Sequence, residues 1–181
     1  MEGTKPELIF ENLWQRNDSS FYPKIKQLWK HHFPFLTEEQ MNGRLRQLVI
    51  VVSNRVGEVV GVSTCFKVYV KQLRNHMYAF RIFIVPEYRI PGLTEIIMLK
   101  TRDFMEGISQ EGGQENTRCL GMITIVENER IMKNRTEAIW PASKMVYIGN
   151  SPQGHHMRVC YFKKAMISLT PTFGPPGEGK G

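Results

Sequence analysis

The window Ile82-Phe83-Ile84-Val85-Pro86-Glu87-Tyr88-Arg89-Ile90-Pro91-Gly92-Leu93-Thr94 brings together the groups best suited to hold an anion. A β-branched and aromatic run is stopped by Pro86, and a short loop containing Gly92 then leads into a helical pattern. A glycine turn lets backbone amides at a helix N-terminus approach a pyrophosphate, and the helix dipole favours the negative charge there. Arg89 supplies a charged donor beside those amides. The plainer reading is that Gly92 only relieves crowding at a helix start.

Side chains able to move a proton lie elsewhere. Glu127 follows the strand-like run Leu120 to Val126, and His76 precedes the run Met77 to Val85. A carboxylate or imidazole at a strand end suits a general base. Each has a structural alternative: Glu127 as a helix-start carboxylate answering the dipole, His76 as a turn residue. Tyr147 and Tyr161 are candidate proton donors on late strands, against an alternative role as core aromatics. The pair His155-His156 sits in a polar turn without further ligands, so no metal is expected. Cys65, Cys119 and Cys160 are odd in number, far apart and not in C-x-x-C spacing, which reads as buried reduced thiols rather than a nucleophile or a zinc site.

The elements that must position these groups follow from periodicity and turn chemistry. Leu8 to Trp14 reads as a first edge strand, and Ser19-Ser20 offers a cap for a helix from Phe21 to His32 with Ile25, Leu28 and Trp29 on one face. Phe33-Pro34 stops it. Thr37 and Gln40 form a capping box for a second helix running to about Arg46. Leu48 to Ser53 and Val59 to Val70 read as a hairpin across Asn54-Arg55-Val56-Gly57. A second turn, Gln72 to Asn75, leads into Met77 to Val85, which is dense enough to be a central strand covered on both faces. Gly92 to Gly107 is helical, with Leu93, Ile96, Ile97, Leu99 and Phe104 at helical spacing. Beyond a glycine-rich loop at Glu111-Gly112-Gly113 come a strand to Val126, a short basic helix from Asn128 to Ala138, and two pairing strands, Met145 to Gly149 and Met157 to Ala165. The order is an α+β plan with mixed strand directions.

The chain of 181 residues, 41% hydrophobic and 23% charged, fits one globular domain over residues 1–168 followed by a disordered Pro/Gly-rich tail over 169–181. Met1 to Trp14 carries several charges and no apolar core of a leader, and no stretch approaches the length of a membrane span, so a cytoplasmic protein without membrane partners is expected. A formal charge of +7 favours anionic company: nucleic acid, an acidic substrate or a phosphorylated cofactor.

The 82–94 window resembles the acetyl-CoA signature of the GNAT superfamily of N-acetyltransferases, roughly V-x-P-E-Y-R-x-x-G-x-G/A. It follows the fourth strand of the element order that the superfamily uses, and Val126-Glu127-Asn128-Glu129-Arg130 resembles the superfamily's asparagine-bearing turn after the fifth strand. The resemblance covers about residues 8–165 and implies a mainly antiparallel mixed sheet of about seven strands flanked by about four helices. It further implies an acetyl-CoA-dependent N-acetyltransferase acting on an amine, with no metal. The cofactor would be held by Phe83, Ile84, Val85, Arg89, Ile90, Pro91, Gly92, Leu93, Thr94 and Asn128. The main chain of Phe83 to Val85 would pair with the pantetheine arm, and amides near Val85 would polarise the thioester carbonyl. Two departures stand out. Pro91 offers no amide hydrogen, a loss of about 1.5–3 kcal/mol for a bond to a charged group, and Thr94 replaces Gly or Ala.

The expected catalytic positions also diverge, since Arg81 stands where many members carry a glutamate and Arg135 aligns with their tyrosine acid. A lysine-like amine of pKa about 10.4 must lose about 4.6 kcal/mol worth of protonation at pH 7. Glu127 and His76 are therefore the candidate bases, and Tyr147 a candidate acid. The competing reading is a GNAT-like module that binds CoA or nucleic acid without turnover. Exposed late strands make a homodimer a physical expectation.

Overall fold

A computed structural model describes residues 7–16, 19–111 and 118–167. Its elements are β1 (Leu8–Asn12), α1 (Phe21–His32), α2 (Glu38–Leu45), β2 (Leu48–Asn54), β3 (Val59–Val70), β4 (Asn75–Ile84), a 3-10 turn (Pro86–Tyr88), α3 (Leu93–Glu111), β5 (Gly121–Val126), α4 (Glu129–Asn134), β6 (Val146–Asn150) and β7 (His156–Tyr161). The seven strands run β1-β2-β3-β4-β5-β7-β6 across the sheet. The β1/β2, β2/β3, β5/β7 and β6/β7 pairs are antiparallel, and β4/β5 is parallel through Tyr78↔Met122 and Ala79↔Ile123. The expected α+β plan and element order hold. The glycine-rich loop at 112–113 and the tail at 169–181 fall outside the described residues.

The chain forms two compact units. The first comprises residues 1–65 and 81–101. Its core gathers Ile25, Trp29, Met41, Leu45, Leu48 and Val51, the apolar faces of α1, α2 and β2. Ile25 and Trp29 are four residues apart and so share a helix face. α1 starts where expected, although Ser19 rather than Ser20 caps it, accepting from the Phe21 amide at 3.2 Å. The Thr37/Gln40 capping box forms at both bonds, 3.0 and 3.2 Å. Glu38, in the first turn of α2, accepts from Lys30 at 2.5 Å and Lys26 at 3.2 Å, so the two helices are clamped at the turn that joins them. The paired ammonium groups hold its carboxyl below its ordinary pKa.

A buried relay fixes the start of α3 in this unit. The Ile50 amide donates to Ser63 Oγ (3.1 Å), Ser63 Oγ meets Thr101 Oγ1 (2.8 Å), and Thr101 donates to the Ile97 carbonyl (2.7 Å). Since the Thr101 proton goes to Ile97, the Ser63 hydroxyl is the donor between the two side chains.

The second unit comprises 66–80 and 102–181, with a core around Met77, Leu120, Ile123 and Val159. Gly121 is required at its place opposite Tyr161, because a Cβ there would overlap the Cys160 carbonyl and lie 2.8 Å from the Tyr161 Cα. All three cysteines are free and buried, as expected.

Three expectations are corrected. β4 is covered only in part: Met77 on one face and Phe80 and Ile84 on the other are buried, but Arg81 is exposed and the rest are half-buried, whereas β2 is buried at every residue. Composition reports a strand's apolar density, not what lies over it. In α3, Ile96 is 45% exposed while Met98 and Met105 are buried, because the sheet-facing stripe runs through those methionines. The basic helix ends at Asn134 rather than Ala138, as the backbone at Arg135 (φ −126°, ψ 71°) leaves the helical region.

Candidate functional site

The anion cradle anticipated at 82–94 lies wholly in the first unit. Extended backbone reaches Val85, Pro86 opens the 3-10 turn, and the Tyr88 amide closes on the Val85 carbonyl at 3.0 Å. Asn54, in the β2–β3 turn, holds this turn from the side by donating to the Tyr88 hydroxyl at 3.0 Å and to Glu58 at 2.7 Å. The Arg89 Nε donates to the Ile84 carbonyl at 3.0 Å, so the guanidinium is locked against the strand end. Gly92 takes φ +84°, a left-handed conformation that strains an L side chain, and a Cβ built there meets nothing within 4 Å. The Leu93 amide turns back to the Ile90 carbonyl at 3.3 Å. Among the described residues no hydrogen bond engages the amides of Gly92 or Thr94. An open, left-handed turn with unengaged amides at the head of a 19-residue helix fits a phosphate group. Pro91, Gly92 and Thr94 are exposed and Leu93 is buried, so Leu93 anchors the cradle from within.

One expected donor is already engaged. The Val85 amide donates to the Val60 carbonyl at 3.0 Å, so it faces β3 and a donor to a bound carbonyl has to be another amide of the segment. Strand alternation turns the Ile84 peptide groups to the opposite edge, where the carbonyl is shared with Arg89 and retains a second lone pair. The Phe83 ring stands 4.9 Å from both the His32 and Phe33 rings at the end of α1.

His76, Glu127, Asn128 and Tyr147 belong to the second unit. Asn128 is the N-cap of α4, its Oδ1 accepting from the Ile131 amide at 3.1 Å. Glu127 is exposed just ahead of it. His76 is half-buried, its ring 5.3 Å from that of Tyr69. Burial, then the charge of Lys67, lowers its pKa below the usual 6.5, so the imidazole is neutral at pH 7. Tyr147 and Tyr161 are 39% and 50% exposed rather than core, and the Tyr147 ring meets His156 at 5.2 Å and Arg158 at 5.8 Å. Tyr147 donates to Asn150 at 2.9 Å. Burial pushes the thiols of Cys119 and Cys160 up to about 11, which argues against either as a nucleophile.

The two divergent arginines have structural partners. Arg81 is exposed and donates to Gln47 at 2.5 Å. Arg135 lies 3.5 Å from Glu137 and over the Trp140 ring. Sequence reasoning missed Arg158, which is 1% exposed, 4.3 Å over the same Trp140 ring, and bonded to the Arg135 carbonyl at 3.2 Å. Burial lowers its pKa, and its Nε is buried without a partner. Nothing in the local pattern HMRVCY marks that position as interior.

No protein-family model matches the sequence, and no curated protein matches it. Similar solved structures exist. A GNAT-family acetyltransferase from Streptococcus pneumoniae aligns with TM-score 0.56 and 12% identity over 86% of this chain and 99% of that one. A ribosomal-protein-S5-alanine acetyltransferase from Vibrio fischeri aligns with TM-score 0.56 and 13% identity over 92% and 98%. A mutant of the AtaT toxin, bound to the C-terminus of the antitoxin AtaR and to acetyl-CoA, aligns with TM-score 0.53 and 11% identity over 84% and 92%. The fold of this chain is thus the GNAT acetyltransferase fold, as the 82–94 window and the element order implied.

Proposed function

We propose that this chain is an acyltransferase that moves an acetyl group from acetyl-CoA to an amine. The observation that carries the reading is the cradle: Gly92 at φ +84° in open space, unengaged amides at Gly92 and Thr94, and Arg89 fixed at the strand end. The GNAT fold and an acetyl-CoA-bound structural neighbour support it. Amides of the α3 N-terminus and Arg89 would hold the diphosphate, and the extended Phe83–Val85 backbone the pantetheine arm. When bound, acetyl-CoA supplies an activated acyl group. In the balanced reaction the amine nitrogen gains a C–N bond, the C–S bond breaks with its electron pair leaving on sulfur, and one proton passes from nitrogen to the thiol.

The base is assigned to His76 or Glu127. His76 is in the neutral form a base needs, and Glu127 is exposed just ahead of α4. A second reading has the fold binding CoA or nucleic acid without turnover. It is favoured by Arg81 and Arg135, which hold to Gln47 and Glu137 at positions where a proton-transfer group was expected. Free thiol release from acetyl-CoA, measured across a panel of amines with and without the protein, decides between them. Acceptor-dependent thiol release supports the enzyme. Saturable CoA binding with no acceptor-dependent release supports the module.

A further inference from the structure

We infer that the acceptor is a flat, aryl-bearing amine received on an aromatic platform at the end of α1. This inference rests on the acyl-transfer reading and names its substrate class. The platform is a chain of rings in ring-to-ring contact. His31 and His32 lie 4.7 Å apart at 86°, His32 and Phe83 4.9 Å at 50°, Phe83 and Phe33 4.9 Å at 71°, and Phe33 and Phe35 6.0 Å at 77°. All but one of these contacts are close to edge-to-face, the arrangement in which a further ring is accommodated at 4.5–7 Å.

Phe83, the middle ring of this chain, lies two residues before Val85 at the end of the strand that leads into the cradle. The Phe35 end is open, since Phe35 is 75% exposed. Single exposed apolar residues need no explanation, but here the exposed ring continues a built array. Phe33 and Phe83 pack against the adjacent apolar core, and Phe35 extends from Phe33 into solvent. Its loop is nonetheless held at both ends. The Phe33 amide closes α1 on Trp29 at 2.7 Å, the Leu36 amide bonds the Phe33 carbonyl at 3.0 Å, and Leu36 is buried. A fixed loop presenting an exposed ring is pre-organised to receive a planar partner.

The test uses 2-phenylethylamine against 2-cyclohexylethylamine, which has the same carbon count without a flat ring. Binding is followed by saturation-transfer NMR on the wild-type chain and on Phe35→Ser, an exposed change that leaves the core intact, with CoA binding measured separately by calorimetry. The expected result is binding of the aryl amine at least fivefold tighter than the cyclohexyl amine, a preference lost in Phe35→Ser while CoA binding is kept. Equal binding of the two amines, or an unchanged preference in Phe35→Ser, overturns the inference even if acetyl transfer to some other amine is found. Aryl-amine binding in a chain that ignores CoA removes the acyl-transfer reading and leaves an aryl-amine site.

Discussion

Replacing Gly92 separates the two things that the cradle needs, backbone freedom and the absence of negative charge. At φ +84° an L residue is strained by about 1–2 kcal/mol, and because nothing lies within 4 Å of a Cβ there, no clash adds to that figure. Gly92→Ala and Gly92→Glu should therefore lose the same stability, about 1–2 kcal/mol in urea unfolding. The strain is common to free and bound protein, so Gly92→Ala should keep CoA affinity within about threefold. The glutamate adds a charge facing the diphosphate. Like charges about 4 Å apart repel by about 1 kcal/mol in bulk water and about 4 kcal/mol at an effective dielectric of 20, which predicts a loss of roughly fivefold to several-hundredfold. Calorimetric titration with CoA at low salt measures it. If folded Gly92→Glu binds CoA as tightly as Gly92→Ala, the phosphate does not sit at this turn and the cradle argument is refuted.

Thr101→Val should cost about 1–3 kcal/mol by denaturant unfolding, since it leaves the buried Ser63 hydroxyl without its acceptor. His76 should make stability fall as pH drops: its folded pKa is lowered, so the unfolded imidazole takes a proton first, and stability is lost from about pH 6.5 down to the folded value. The stability difference between wild type and His76→Gln, followed from pH 8 to 5, should show that slope; a flat difference would contradict the burial of His76. Cys119 and Cys160, with thiols held up to about 11, should resist a thiol reagent at pH 8 in the native state and react once unfolded, as a spectrophotometric time course would show. Their folded pKa values are raised, so above pH 9 the unfolded thiols ionise first and stability should decline as pH rises toward about 11.

The sequence by itself determined the elements and the glycine turn that opens α3. Helix starts at Phe21 and after Thr37, the hairpin turn at Asn54–Gly57, the stop at Pro86 and the glycine before α3 are set by local rules of capping, turn conformation and side-chain period, which act within a few residues. The tertiary structure decided which of those elements are covered and which side chains meet. β4 and β2 both carry dense apolar runs, yet only β2 is buried throughout. Tyr147 and Tyr161 alternate as core residues would and are partly exposed. The Ser63–Thr101 relay, the Val85 amide facing Val60, buried Arg158 beneath Trp140, and the His32–Phe83 contact of the ring array join residues 18 to 51 positions apart. The ring run His31-His32-Phe33-Pro34-Phe35 was visible in the sequence, but its meeting with Phe83 was not. No local pattern encodes such meetings, because they arise only when separate elements are packed on a common sheet and each buried polar group must find a partner.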